Sequence, residues 1–138
     1  MSYKILEDVA TADVAFEAEG ETLEELYKSS AEATSNIMVS LDTLEENIEK
    51  TFSVTGDNPE KLLFNFLNEL IFIKDADLLI FKSFDIKIDK NKLECTAKGD
   101  KLNHESQKHG VDVKAVTYHM FKVEQVNDNW KAFVILDI

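Results

Sequence analysis

Hydrophobic residues in this chain change their spacing several times, and each change marks a new element. Val14, Phe16 and Ala18 alternate with Ala15, Glu17 and Glu19, the two-residue period of a strand with one buried face, and residues 3–6 read as a shorter strand before it. From Leu23 the interval becomes three and four, through Leu26, Tyr27, Ser30, Thr34, Ile37, Met38 and Leu41. With the capping-box spacing of Thr22-Leu23-Glu24-Glu25 in front, this predicts an amphipathic helix over about 23–40, with Glu24, Glu25, Lys28 and Glu32 facing water. Alternation returns at Ile48, Phe52 and Val54 and stops at Gly56-Asp57. Asn58-Pro59 then supplies an N-cap and a proline at the first helical position. The helix that follows carries Leu62, Leu63, Phe64, Phe66, Leu67, Leu70, Ile71 and Ile73, apolar over most of its circumference, which predicts the central core element.

Beyond Leu78 the pattern is mainly β. Phe84, Ile86 and Ile88 alternate, Asp89-Lys90-Asn91-Lys92 turns the chain, and Leu93, Cys95 and Ala97 alternate back, a hairpin. Residues 99–110 are polar and aperiodic and predict a loop of a length that is usually functional or mobile. Strands at about 111–125 and 130–138, joined through Asn127-Asp128-Asn129, form a second hairpin. The expected architecture is therefore α+β: a single domain spanning 1–138, with two main helices packed on an antiparallel or mixed β-sheet.

Charge narrows the function classes. The net charge is −12, and residues 1–50 hold 13 acids against 3 lysines, whereas residues 51–138 hold 14 against 12. There is no arginine, so the bidentate fork that dominates phosphate and guanine recognition is missing. Stable autonomous nucleic-acid binding is not expected, and any role in RNA metabolism would run through a basic protein partner. The N-terminal residues lack the basic region and apolar stretch of a signal peptide, and no window approaches the length of a spanning helix, so a soluble, cytoplasmic protein is expected. Cys95 sits in an alternating strand and reads as a small buried hydrophobe.

Enzyme motifs are not found: no Gly-rich phosphate loop, no His-Glu-x-x-His, no Cys-x-x-Cys and no recognisable nucleophile arrangement. His104 and His109 share the polar loop but lack a third nitrogen or sulfur ligand nearby in sequence, the pattern of inert loop histidines. The better constellation is carboxylate. Asp13 lies where a loop enters a strand, and Asp137 ends the last strand beside the Ile138 carboxylate. If the two ends meet, three hard oxygen ligands favour Ca²⁺, Mg²⁺ or Mn²⁺ over zinc or copper. The alternative, a turn residue and a solvated terminus, stays open at this point. Lys114 sits among apolar and β-branched neighbours and reads either as a site cation or as an edge-strand charge that deters aggregation. Tyr118 and His119 point to opposite faces of one strand, so at least one of them is expected in the core.

Thr11-Ala12-Asp13-Val14, Thr22-Leu23-Glu24-Glu25, the helix Leu62 to Leu70, the run Val113-Lys114-Ala115-Val116-Thr117-Tyr118-His119 and the ending Trp130 to Asp137-Ile138 together resemble the archease family, colinearly over essentially the whole chain. The resemblance implies an accessory protein, not itself an enzyme, that activates the tRNA-splicing RNA ligase RtcB by promoting its guanylylation with GTP and so its multiple turnover. It also implies a divalent metal, calcium in the first instance, at Asp13, Asp137 and Ile138, and an activating role for Lys114. A second role proposed within the family is that of a general chaperone or specificity modulator for tRNA-modifying enzymes such as a tRNA methyltransferase. The chain departs from the usual pattern at Ala10, where histidine is common, at Ala15, where glycine is common, and at Asn103, where aspartate is common.

Overall fold

Strand and helix signals of the sequence resolve into seven strands and two helices in the computed structural model, which describes residues 2–10 and 13–138, with the main chain alone for 7–10. The order is β1 (Ser2–Ala10), β2 (Asp13–Gly20), α1 (Leu23–Met38), a 3₁₀ turn (Leu41–Thr43), β3 (Ile48–Thr55), α2 (Pro59–Asp77), β4 (Leu79–Asp89), β5 (Lys92–Lys101), β6 (Ala115–Val126) and β7 (Asn129–Asp137). All pairings are antiparallel and make two sheets, ordered β1-β2-β7-β6 and β3-β5-β4. Each helix touches both sheets, and the two helices touch each other, so one core joins the layers into a single α+β domain.

Both helix starts follow their sequence signals. The Thr22 hydroxyl accepts the Glu25 N–H at 3.1 Å, and Glu25 reaches back to the Glu21 N–H at 3.0 Å. Asn58 accepts the Lys61 N–H at 2.8 Å ahead of Pro59. The hairpin between β6 and β7 turns on Asn127 and Asp128, both with left-handed φ (51° and 68°), the type I′ geometry that suits the strand twist.

Four expectations are corrected. First, α1 rather than α2 is the more completely enclosed helix: ten of its sixteen residues are buried, against eight of nineteen in α2. The α1 residues that reach the core include Ser29, Ser30, Ala31, Ala33 and Thr34, whose small size lets the helix sit close and whose hydroxyls bond within the fold: Ser30 to the Leu26 carbonyl, Thr34 to the Ser30 carbonyl. Second, β5 extends through Gly99 to Lys101, so the polar loop begins later than expected. Third, that loop is tied down along its length. Ser40 N–H donates to the Lys108 carbonyl, Gly110 N–H to Met38 and Val111 N–H to Ile37. A Cβ at Gly110 would collide with the Ile37 carbonyl oxygen, so only glycine allows this approach. Fourth, β6 starts at Ala115, which leaves residues 111–114, Lys114 among them, ahead of the strand.

Candidate functional site

β7 pairs with β2, and the register sets Asp13 directly opposite Asp137. Residues directly opposite in an antiparallel pair share a face, so two carboxylates of like charge stand side by side, an arrangement that costs stability by itself and that a cation would offset. Asp13 is half-buried and Asp137 is exposed. The Ile138 side chain packs against the core, which anchors the chain immediately after Asp137. On the other side of β7, Ala115 is the Asp137 partner, and the Lys114 N–H donates to the Asp137 carbonyl at 2.8 Å. Three of the sequence-predicted positions, Asp13, Lys114 and Asp137, thus lie at one end of the four-stranded sheet, with Ile138 beside them. Thr11 and Ala12, and the side chain of Ala10, lie outside the described residues.

Among the described residues no three Asp, Glu, His or Cys side chains gather as a metal cluster, and no salt bridge occupies Asp13 or Asp137. The two aspartates offer oxygen donors only, the kind that would match a hard cation such as Ca²⁺, Mg²⁺ or Mn²⁺. His104 and His109 stack on each other at 4.4 Å, and His109 Nε2 sits 3.2 Å from the Asn103 carbonyl. They line a cleft of about 270 Å³ with Met38, Lys74, Ile80 and Asp112.

The expectation that Tyr118 or His119 enters the core is overturned, since both are exposed. Between Thr117, opposite Ile135, and Lys122, opposite Phe133, four residues of β6 face the single residue Val134. This bulge places Met120 at φ 56° and turns the His119 N–H onto the Thr117 hydroxyl at 3.0 Å, so the strand alternation that would bury one neighbour is broken. Tyr118 instead lies flat on Phe64 of α2, ring centroids 3.8 Å apart, with Lys61 Nζ 2.6 Å from its hydroxyl.

Lys74 was not anticipated. Its side chain, 4% exposed, ion-pairs with Asp75 at 2.5 Å and Asp112 at 2.6 Å. Burial pushes this ammonium's pKa down, but the hydrogen bonds and charges of Asp112 and Asp75 outweigh it and hold the group above the ordinary lysine value. The signal was present in the sequence: Lys74 continues the apolar stripe Leu67, Leu70, Ile71 at the same helical interval. Cys95, by contrast, is the buried thiol expected, its pKa pushed up to about 12 by burial and by the charge of Asp85, which leaves no thiolate for chemistry.

Comparison with known proteins covers nearly the whole chain. Residues 3–138 match the model of the archease protein family (MTH1598/TM1083). The chain is 37% identical over 133 residues to a protein archease of Pyrococcus abyssi, covering 93% of this chain and 94% of that one. It is 31% identical over 141 residues to a protein archease of Methanosarcina mazei, covering 99% and 95%. Its fold superposes on the solution structure of protein 1598 of Methanobacterium thermoautotrophicum with a TM-score of 0.85 at 33% identity, covering 99% of this chain and 98% of that one. It also resembles a Thermotoga maritima crystal structure described as an archease and possible chaperone, with a TM-score of 0.66 at 28% identity and coverage of 94% and 93%.

Proposed function

The chain belongs to the archease family, and from that premise we propose that it is an accessory protein that activates the RNA ligase RtcB, promoting guanylylation of the ligase with GTP and its repeated turnover. The single observation that supports this reading most is the register that sets Asp13 against Asp137 at the end of the sheet where Lys114 also lies. Asp13, Asp137 and the Ile138 carboxylate are the proposed ligands of one divalent cation: oxygen donors suit calcium, magnesium or manganese alike, and the family resemblance puts calcium first. When bound, the cation neutralises facing carboxylates that otherwise repel each other. Lys114 is exposed beside them and is tethered to β7 only through its main chain, so its ammonium is available to a phosphate group or a carboxylate of the ligase. The acidic character of the chain favours a protein partner over direct RNA contact.

The test is ligase–GMP formation and turnover with GTP and metal, measured with this chain, with Asp13→Asn and with Asp137→Asn. Both variants are expected to lose stimulation by about tenfold or more, since even a partner outside the ligand sphere typically costs about 10–100-fold in metal affinity or activity. Calcium at about a hundredfold over its Kd should stabilise the native chain by about 2.7 kcal/mol and leave the variants unmoved. Without metal, each variant should melt at or above the native temperature, because one of two repelling charges is gone. Full stimulation by either folded variant would sink the reading.

A further inference from the structure

Residues 112–118 run alongside α2 and are tied to it at three heights. At the last turn of α2 the Lys74 ammonium donates to Asp112 Oδ1 at 2.6 Å and to the Val113 carbonyl at 2.9 Å. Further back along the helix, Asn68 Oδ1 accepts the Val116 N–H at 3.3 Å, and Phe64 and Lys61 hold Tyr118. Lys114 falls between the first two ties, its side chain in solvent and its N–H on the Asp137 carbonyl.

Among these ties the first is physically anomalous. Lys74 is the one charged side chain buried among the described residues, whereas the side chains of its partners Asp75 and Asp112 are 59% and 68% exposed. Water would solvate both carboxylates without it, and an apolar side chain of similar length would fill its channel at no desolvation cost, so the charge is not there to serve the two aspartates. What an apolar chain would lack is the set of donors that holds Asp112 and the Val113 carbonyl, the two residues just before Lys114. Immobilising them fixes the direction in which Lys114 leaves the domain and the alignment of its N–H with Asp137.

We propose that Lys74 is a positioning residue: its buried ammonium clamps Asp112 and the Val113 carbonyl to α2 and thereby sets Lys114 against the end of β7. This rests on the proposed function only for its consequence, since the clamp itself is a matter of local order. A residue of this kind acts through Lys114, so its loss should be felt at that residue and not across the domain.

Lys74→Met decides it in two measurements. Amide hydrogen exchange followed residue by residue should quicken at Lys114 by about tenfold or more, while amides of the β2–β7 ladder such as Phe16 and Val134 stay as protected as in the native chain. Lys114 exchange unchanged in Lys74→Met would overturn the clamp. If that variant does not fold, Asp112→Ala, which removes an exposed side chain and the carboxylate half of the clamp while the Val113 bond stays, should still quicken Lys114 exchange, by less than the roughly tenfold effect of the full loss, and no change there would overturn the clamp. In the ligase assay, Lys74→Met should lower stimulation in the native background and add nothing in a Lys114→Ala background, because two residues acting through one point are not additive. Equal losses in both backgrounds, or none in the native one, would overturn the positioning role. A native chain that fails to stimulate the ligase refutes the proposed function instead, and the exchange result still decides the clamp.

Discussion

The two helices solve the same problem with different residues. α1 is nearly enclosed and reaches the core with serine, threonine and alanine beside Leu26, Tyr27, Ile37 and Met38, while α2 carries larger apolar residues yet leaves Phe72 63% exposed. Small side chains let α1 approach its neighbours closely, with hydroxyls satisfied by carbonyls one turn back. α2 spends one face on the core and another on the segment that carries Lys114 and Tyr118. Apolar content alone therefore misjudges which helix is central; how close a helix can come to its neighbours is the better guide.

Substitutions on each helix can break or sharpen that contrast. The largest effect should come from Phe66→Ala on the inner face of α2, where a fully buried ring meets Tyr27 and Phe52. A loss of about 3–5 kcal/mol is expected from the urea midpoint, and a loss under half of that would mean the aromatic cluster collapses around the cavity. Ala33→Leu on α1 should cost about 1–3 kcal/mol, since a fully buried alanine has no room for three more carbons. If Ala33→Leu proves neutral in the same titration, the close approach assigned to α1 is wrong. The smallest effect is expected for Phe72→Ser on the outer face of α2, within about 0.5 kcal/mol despite removal of a large apolar group. A clear destabilisation there would mean that the outer face of α2 supports the fold more than its exposure indicates.

Elements governed by local rules were legible in the chain. Thr22 and Asn58 mark their helix starts, Asn127-Asp128 marks a hairpin, and the α+β class follows from the alternation of periods. The candidate site was only half legible. Asp13, Asp137 and Lys114 could be named as polar residues in unusual company, but their meeting depends on β2 pairing with β7 across almost the entire chain, and no local period encodes that register. The β6 bulge was hidden for a related reason: Val116 to Phe121 has the composition of a regular strand, and only its pairing with β7 reveals four residues opposite one. Lys74 lies on an apolar stripe, where a lysine ordinarily reaches out to solvent, whereas here two aspartates meet it where it lies.

The bulge in β6 also bears on self-association. β6 lies at the rim of the four-stranded sheet, and a rim strand of twelve residues with exposed Tyr118 and Met120 would ordinarily invite a second copy to add itself as the next strand. Such growth needs an uninterrupted row of main-chain donors and acceptors. Here the Val116 N–H is already taken by Asn68, and the row is thrown out of step from Tyr118 to Phe121 with Met120 in a left-handed conformation. A second copy would find only short stretches of matching backbone on either side. The irregularity lets the chain display large apolar side chains on an edge strand while withholding the template on which polymers are built.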